Sequence, residues 1–409
     1  MNQRTCAYIA VACCAAARVA SAQLNERALQ PLGANAGELI GLSKPASKGL
    51  TDFLSAAFKD ELTDTDRLNR IIGSYLERTS GLNFLGDINF RLKTFHEDGG
   101  PSNLGFSYAF SREVTNYTFG TTDPTTHRGL DLTFHANGNV AFDRSTNPED
   151  FLDTKLNVSF FQSTGGASAL DSAGVEKYNE LSTAIVTKYH GATVEVINAS
   201  KEMAELRALI QDHLRNQLAF DLAGEAGLES NQSFSDKQYV YGGRVGMVFK
   251  AWDDRSAWAR WNVFDLPFAT LRYLIGTDDH FSPSGKSYPA VLVGGALVDP
   301  DGEDPRTAVA GKSSYPRVRG EVSFRTRFID LGKWEPVKAL GQTYLTANER
   351  YYWEVGASQA VKNANLDNFG YFVATLDTTV GVFVSYSVGR LPFDAKDDQI
   401  YDVGFKFHF

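Results

Sequence analysis

Tyr-Asp-Val-Gly-Phe-Lys-Phe-His-Phe, residues 401–409, is the stretch that decides the fold of this chain. In a β-strand, successive side chains point to opposite faces, so a period of two separates one face from the other. The stretch therefore predicts a strand with a polar face and an apolar face, the latter formed by Tyr401, Val403, Phe405, Phe407 and Phe409. Such a strand suits contact with lipid on its apolar side and with a polar interior on the other.

The same period of two recurs along most of the chain from residue 82 onwards. Between residues 129 and 142, for example, Leu130 and Phe134 alternate with Asp131 and His135. Together with the final strand, the pattern predicts about twelve antiparallel strands, at 87–93, 104–110, 129–142, 152–161, 239–250, 258–275, 288–298, 317–328, 340–355, 369–376, 381–389 and 400–409. Fourteen strands are the alternative, if the long 258–275 segment or the helical insertion described below contains a hairpin.

Alternating residues that end on a C-terminal Phe resemble the assembly signal of Gram-negative outer-membrane β-barrels, the porin-like class. The resemblance implies an all-β transmembrane barrel in the cell outer membrane, surrounded by lipid and lipopolysaccharide. It also implies that the barrel assembly machinery reads residues 401–409. No motif narrows the resemblance to a single family.

The N-terminus predicts export. Arg4 is followed by an apolar stretch at residues 7–17 and by Ala20-Ser21-Ala22, the pattern of a cleaved signal peptide at 1–22. All three cysteines of the chain lie within it, so the mature protein is expected to contain none. The net charge of −9 argues against a nucleic-acid partner.

Two stretches have helical rather than strand character. Residues 23–81 predict an N-terminal helical segment that precedes strands 1–4, which occupy 82–163. Residues 164–236 predict a helical insertion, and strands 5–12 then fill 237–409. Within the insertion, Ser200 is a candidate N-cap for a helical stripe formed by Met203, Leu206, Ile210, Leu214, Leu218 and Leu222. The insertion either plugs the lumen or projects into the periplasm, where it offers a surface to a periplasmic partner.

The most informative polar feature is the strand at 317–328. One face carries Arg317, Arg319, Glu321, Arg325 and Arg327, opposite Val318 and Val322. Each charge would cost about 2–4 kcal/mol at mid-depth in lipid, so this face must line the lumen. Further candidate pore-lining cations on other strands are Arg244, Arg260, Arg272, Arg350 and Lys406, with Asp131, Glu354 and Asp402 as counter-charges.

Two interpretations of this arginine ladder stay open. A basic ladder in a water-filled lumen would guide small anionic or acidic solutes, as charged rings do in pores, and predicts a porin-like transport channel. An internal salt-bridge network would instead hold helical elements as a plug, and predicts a structural, adhesive or export-component role.

An enzyme is the third interpretation. The chain has no Gly-x-Ser-x-Gly and no His-Glu-x-x-His motif, so an outer-membrane lipid-modifying hydrolase has little support. No cofactor is expected. Asp299, Asp301 and Asp304 have the oxygen density that Ca²⁺ favours, but Ala310 stands where an EF-hand needs its final carboxylate, which favours a solvated loop.

Overall fold

The computed structural model describes residues 88–97, 102–119, 126–143, 147, 149–167, 172–189, 196, 199–253, 255–394 and 397–408. The signal peptide predicted at 1–22 and the helical segment predicted at 23–81 lie outside the described residues.

Twelve β-strands form a closed barrel, in which strands follow one another in chain order and β12 returns to pair with β1. The predicted fold class and strand number are confirmed. The strands are β1 (Ile88–Glu97), β2 (Ser102–Phe119), β3 (Thr126–Ala141), β4 (Leu152–Ala167), β5 (Leu214–Ser230), β6 (Lys237–Lys250), β7 (Ala290–Pro300), β8 (Tyr315–Asp330), β9 (Gln342–Glu354), β10 (Asn368–Thr378), β11 (Val382–Gly389) and β12 (Asp398–His408).

The final strand has the orientation that its alternation predicts. Tyr401 and Val403 are exposed on the outer face of the barrel, whereas Asp402 is buried on the lumen side. Gly404 is required where β12 passes its neighbours, because a Cβ at this position would lie 2.2 Å from the carbonyl oxygen of Leu92. The side chains of Phe407 and Phe409 lie outside the described residues.

One strand of the barrel is not where the sequence predicts it. The helix that contains the first part of the predicted stripe ends at Asp212, and residues 214–230 form β5, which pairs antiparallel with β6. Leu218 and Leu222 are exposed on its outer face. A spacing of four residues keeps side chains together on a helix and also on one face of a strand, so this stripe did not distinguish the two structures. The predicted helical insertion at 164–236 is therefore wrong for β5 and for the end of β4.

A second segment is helical where the sequence predicts a strand. Residues 258–275, predicted as a long strand, contain the helices α3 (Ala257–Arg260) and α4 (Leu266–Leu274). Pro267 lies in the first turn of α4, where its missing N–H leaves no hydrogen bond unmade. The total of twelve strands is thus right because one missed strand offsets one segment wrongly assigned as a strand.

The chain divides into two compact units, of which the barrel is one. The other contains α1 (Ser172–Lys188), α2 (Lys201–Asp212) and two short 3-10 turns at Leu331–Lys333 and Lys338–Leu340. Ser200 caps α2, since its Oγ accepts a hydrogen bond from the Met203 N–H at 3.2 Å. Among the described residues, no helix combines the length and the apolar character needed to cross a membrane. The location of α1 and α2, in the lumen or in the periplasm, stays a prediction.

The barrel has the reverse polarity of a water-soluble protein. Its outer face carries a belt of exposed aliphatic and aromatic side chains, among them Val158, Leu222, Tyr241, Val245, Met247, Val293, Leu297, Val322 and Val384. Its inner face buries charged and amide side chains, among them Lys155, Asn157, Glu225, Glu229, Gln238 and Arg317. Polar groups are therefore gathered in the lumen, which is where a functional site must lie.

Candidate functional site

The first arginine of the ladder, Arg317, forms an ion pair with Glu229 on the inner face of the barrel. The Arg317 Nη2 donates to both carboxylate oxygens of Glu229, each at 2.7 Å. Arg317 belongs to β8 and Glu229 to β5, so the pair joins two strands that are separated by β6 and β7. Lys155 of β4 adds a second cation, 3.4 Å from Glu229. Their side chains are almost fully enclosed, with 3% of Arg317 and none of Glu229 exposed.

The next rung repeats this arrangement two residues along the strand. Arg319 donates to Glu225 at 2.6 Å, again from β8 to β5. The sequence does not single out either carboxylate, because the leucine spacing of this stretch also fits a helix. The signal was present in the alternation of polar Asp221, Glu225 and Glu229 with Leu218 and Leu222 on the other face.

The remaining strand-borne arginines of the ladder also lie beside carboxylates. Arg325 is 3.2 Å from Asp377, and Arg350 is 3.8 Å from Glu321. The other pairs are Arg244 with Asp221 at 3.6 Å and Arg327 with Asp278. The predicted inward face of β8 is thus found, but its charge is compensated rather than uniformly basic.

Two predicted pore-lining arginines do not belong to the barrel wall. Arg260 is exposed on α3, and Arg272 lies on α4 with its guanidinium between Asp265 at 2.8 Å and Asp278 at 2.9 Å. Both assignments followed from treating 258–275 as a strand, and both are wrong. Lys406 does lie on β12, where it stands opposite Arg91 of β1.

The middle of the lumen is accessible to water. The side chains of Arg350 and Glu321 are 34% and 32% exposed, in contrast to the enclosed Arg317 and Glu229. Several buried lumen atoms have no hydrogen-bond partner within the described protein, including Nη1 of Arg317 and Nε of Arg244, Arg319 and Arg350. A buried donor left unmade costs about 1–3 kcal/mol. Nη1 of Arg317 and Nε of Arg319 can therefore still donate to a polar group in the lumen.

Arg91 differs from the other lumen arginines. No ion pair involving it is found among the described residues, and its guanidinium lies over the ring of Phe383 at 5.4 Å. It interacts electrostatically with the carboxylates of Asp377, Asp402 and Glu149 and with the Arg325 guanidinium. Arg91 is thus a lumen cation near several carboxylates that forms an ion pair with none of them within the described residues.

One end of the barrel is covered by its own connections. We call it the loop end; it carries the β3–β4, β5–β6, β7–β8, β9–β10 and β11–β12 connections, and the opposite end is the terminal end. Phe151, before β4, packs into an apolar cluster with residues contributed mainly by β9, β10 and the connections after β9 and β11. We call this the mouth cluster: Phe151, Tyr352, Ala357, Val361, Leu366, Phe369, Tyr371 and Leu391. Because β3–β4 and β9–β10 lie on opposite sides of a twelve-strand barrel, the cluster spans the opening.

A buried carboxylate fixes the same connection in place. Glu149 forms an ion pair with Lys93 of β1 and accepts hydrogen bonds from Tyr371 and Ser387, the latter at 3.1 Å. Lys93 also contacts Asp402 at 2.9 Å. Burial alone would raise the pKa of Glu149, but the charge and hydrogen bond of Lys93, together with the hydrogen bonds of Tyr371 and Ser387, outweigh burial and lower it. We call Glu149, its three partners and Asp402 the Glu149 latch.

Further polar contacts hold the neighbouring loops. The Gln232 side-chain amide donates to the Ala141 carbonyl at 2.9 Å and accepts from Asn147 at 2.9 Å, which joins the β5–β6 turn to the β3–β4 connection. Arg306, on helix α5 (Pro305–Ala310), binds both oxygens of Glu354 at 3.1 and 3.0 Å. Glu354, a predicted counter-charge of the ladder, is therefore committed to the covering loops.

The three acidic residues considered for Ca²⁺ have separate partners. Asp304 caps α5 by accepting from the Thr307 N–H at 3.0 Å, and Asp299 accepts from Ser314 at 2.8 Å. Asp301 pairs with Lys237 at 3.2 Å. Within the described part of the chain, no three His, Cys, Asp or Glu residues are grouped to hold a metal ion.

Comparisons with known proteins give structural similarity only. No family model and no curated protein sequence matches the chain. Among solved structures, the NanC porin is similar at 7% identity and a TM-score of 0.31, over 78% of this chain and 100% of that one. The KdgM porin is similar at 9% identity and 0.28, over 78% and 99%. The β domain of the Bordetella autotransporter BrkA is similar at 9% identity and 0.24, over 79% and 99%. At these values the similarity says nothing about substrate.

Proposed function

We propose that the protein is an outer-membrane channel whose loop end is closed in this structure, and that it passes small polar solutes with a preference for anions. The observation that carries the proposal is a closed barrel whose inner face places arginines from several strands in a partly water-accessible lumen, with Arg325 and Arg350 28% and 34% exposed. Electrostatics and hydrogen bonding act on the solute, and no covalent step is involved.

The surface chemistry supports a membrane location. A transmembrane strand needs about 9–11 residues; β1 has 10, β7 has 11 and β8 has 16. The outward belt is apolar along most strands, as lipid requires. Export through a cleaved signal peptide, assembly through residues 401–409, and contact with lipopolysaccharide complete the proposal.

The anion preference is proposed from Arg91 and Arg325. Arg91 forms no ion pair within the described residues, whereas Arg317 and Arg319 each have their own carboxylate. A solute carboxylate or phosphate would find in Arg91, with Arg325 nearby, a planar donor whose geometry is well suited to such groups.

Ion selectivity in planar bilayers tests this proposal. The double variant Arg91→Gln, Arg325→Gln is expected to lower the anion-to-cation permeability ratio several-fold, measured as a reversal potential across a KCl gradient. Arg260→Gln is the matched control, because it makes the same chemical change on exposed α3, outside the lumen. An unchanged ratio in the double variant would refute the anion preference.

The mouth cluster favours a second candidate, a permanently plugged barrel with a structural, adhesive or export-component role. The two candidates differ in their response to loosening of the loop end. Phe151→Ala removes the ring that the β3–β4 connection places in the cluster, and a channel is then expected to show more frequent conductance steps. Silence of both the native protein and this variant in bilayers would favour the plugged barrel.

A further inference from the structure

The connection between β6 and β7, residues 251–289 without residue 254, has an unusual polarity. It contains α3 and α4, and its exposed side chains are largely apolar. They include Trp258, Trp261, Val263, Phe264, Tyr273, Leu274 and Phe281. Trp261 and Leu274 are 69% and 74% exposed, although each has a large apolar surface. Contiguous exposed apolar surface on this scale marks contact with a partner or a membrane.

The interior of the same connection is charged. Asp265 is fully buried and Arg272 is 1% exposed, and their side chains are joined at 2.8 Å. Asp265 also accepts from the Ser284 N–H at 2.6 Å, and the buried Asn262 donates to the Ser284 carbonyl at 2.6 Å. The connection is thus folded with polar groups inside and apolar groups outside. That arrangement is unfavourable in water and suits an apolar medium.

The apolar surface of the connection is continuous with the outer face of the barrel. Phe249 of β6, which faces outward with Met247, contacts Trp258 at 5.8 Å and Tyr288 at 4.8 Å between ring centroids. On the other side, Phe268 of α4 contacts Phe324 at 5.8 Å and Phe328 at 6.3 Å. Phe324 and Phe328 share the outward face of β8 with Val318 and Val322, opposite the lumen face of Arg317.

We propose that the β6–β7 connection is a membrane-interface anchor that inserts its exposed aromatic and aliphatic side chains among the phospholipid acyl chains at the terminal end of the barrel. Trp258 and Trp261 lie beside the exposed Arg260 in the sequence. This combination is typical of the lipid headgroup region, where aromatic rings contact the acyl chains and guanidiniums bind phosphates. The inference rests on the proposed membrane location of the barrel, and its test separates the two.

Tryptophan quenching by lipids with brominated acyl chains, in vesicles that contain the full chain, tests the anchor. Two single-tryptophan proteins are compared. One keeps Trp261 and has Phe at 252, 258, 334 and 353; the other keeps Trp353, which is exposed on the outer face of β9 towards the loop end. An interfacial helix buries its apolar face about 5–10 Å into the boundary, so bromines on the upper acyl chain are expected to reduce Trp261 emission at least about twofold.

The outcomes are distinguishable. Quenching of Trp353 without quenching of Trp261 would keep the barrel in the membrane and overturn the anchor. Absence of quenching for both would overturn the membrane location and the anchor together. A third outcome is blue-shifted Trp261 emission that brominated lipids do not quench and that depends on the protein-to-lipid ratio. It would show that a second copy covers the surface, and it would also overturn the proposal. If the multiple substitutions prevent folding, loss of bromine quenching in Trp258→Phe, Trp261→Phe relative to native protein gives the same answer.

Discussion

Glu149 holds the β3–β4 connection against three strands of the barrel, so its charge is the best place to disturb the closed loop end. The substitution Glu149→Gln keeps the size of the side chain and its ability to accept hydrogen bonds from Tyr371 and Ser387. It removes the charge that faces Lys93. Lys93 retains Asp402 at 2.9 Å, so it is not left wholly unpaired.

The expected magnitude follows from the burial of the pair. Removing one partner of a buried ion pair costs about 3–5 kcal/mol. The remaining Lys93–Asp402 contact places the loss in the Glu149 latch near the lower limit, about 3 kcal/mol. Since about 1.4 kcal/mol corresponds to a tenfold change in an equilibrium constant, the ratio of closed to open loop ends should fall by about 100-fold.

Single-channel recording measures this change as the open probability of Glu149→Gln relative to native protein. Asp301→Asn is the matched control, because it makes the same carboxylate-to-amide change in an exposed pair with Lys237 at the loop end. Solvent screens an exposed pair, so the control should change the open probability far less than Glu149→Gln does. Equal effects of the two variants would refute the assignment of the Glu149 latch as the element that holds the loop end closed.

Three further outcomes are expected. Burial raises the pKa of Asp394, in the β11–β12 connection, from its ordinary value of 3.8 to about 7. The hydrogen bond from the Leu391 N–H lowers this pKa, and the nearby charges of Asp398, Asp150 and Glu149 raise it further. Ionisation of Asp394 therefore does not affect the stability of the closed state below about pH 4, destabilises it progressively as the pH rises towards 7, and adds no further effect above that pH. Open probability should rise from pH 5 to pH 8 in native protein and stay at its acid value in Asp394→Asn. Arg272→Met should lower the free energy of unfolding by about 3–5 kcal/mol in urea titrations, because it leaves buried Asp265 unpaired, and the double variant with Asp265→Asn should recover part of the loss; no recovery would contradict the ion-pair explanation. Gly404→Ala places a Cβ 2.2 Å from the Leu92 carbonyl oxygen and should reduce the yield of folded, protease-resistant barrel, whereas Gly224→Ala, with open space around it, should not.

The alternation of residues 401–409 was enough to predict the fold, because the period of a strand is read directly from neighbouring residues. The inward phase of Arg317, Arg319 and Arg325 followed for the same reason. The neutralisation of Arg317 and Arg319 could not be predicted in the same way. It depends on Glu229 and Glu225 of β5, and the leucine spacing of four in that strand also fits a helix.

The covering of the loop end was beyond what the sequence could predict. Glu149 and Tyr371 are separated by 222 residues, and only the closure of the barrel brings them together. The β6–β7 connection poses the same difficulty locally, since Trp261 and Leu274 look like core residues until the buried Asp265 and Arg272 show that the connection is folded with its charges inside.

The Glu149 latch also has a place in the order of assembly. Lys93 lies in the first strand, Glu149 in an early connection and Asp402 in the last strand, 309 residues after Lys93. These groups meet only when β12 pairs with β1, so a nascent barrel without its last strand lacks the contact between Lys93 and Asp402. Closure of the barrel wall and completion of the Glu149 latch are therefore coupled. The loop end is fully closed only after the last strand has been inserted.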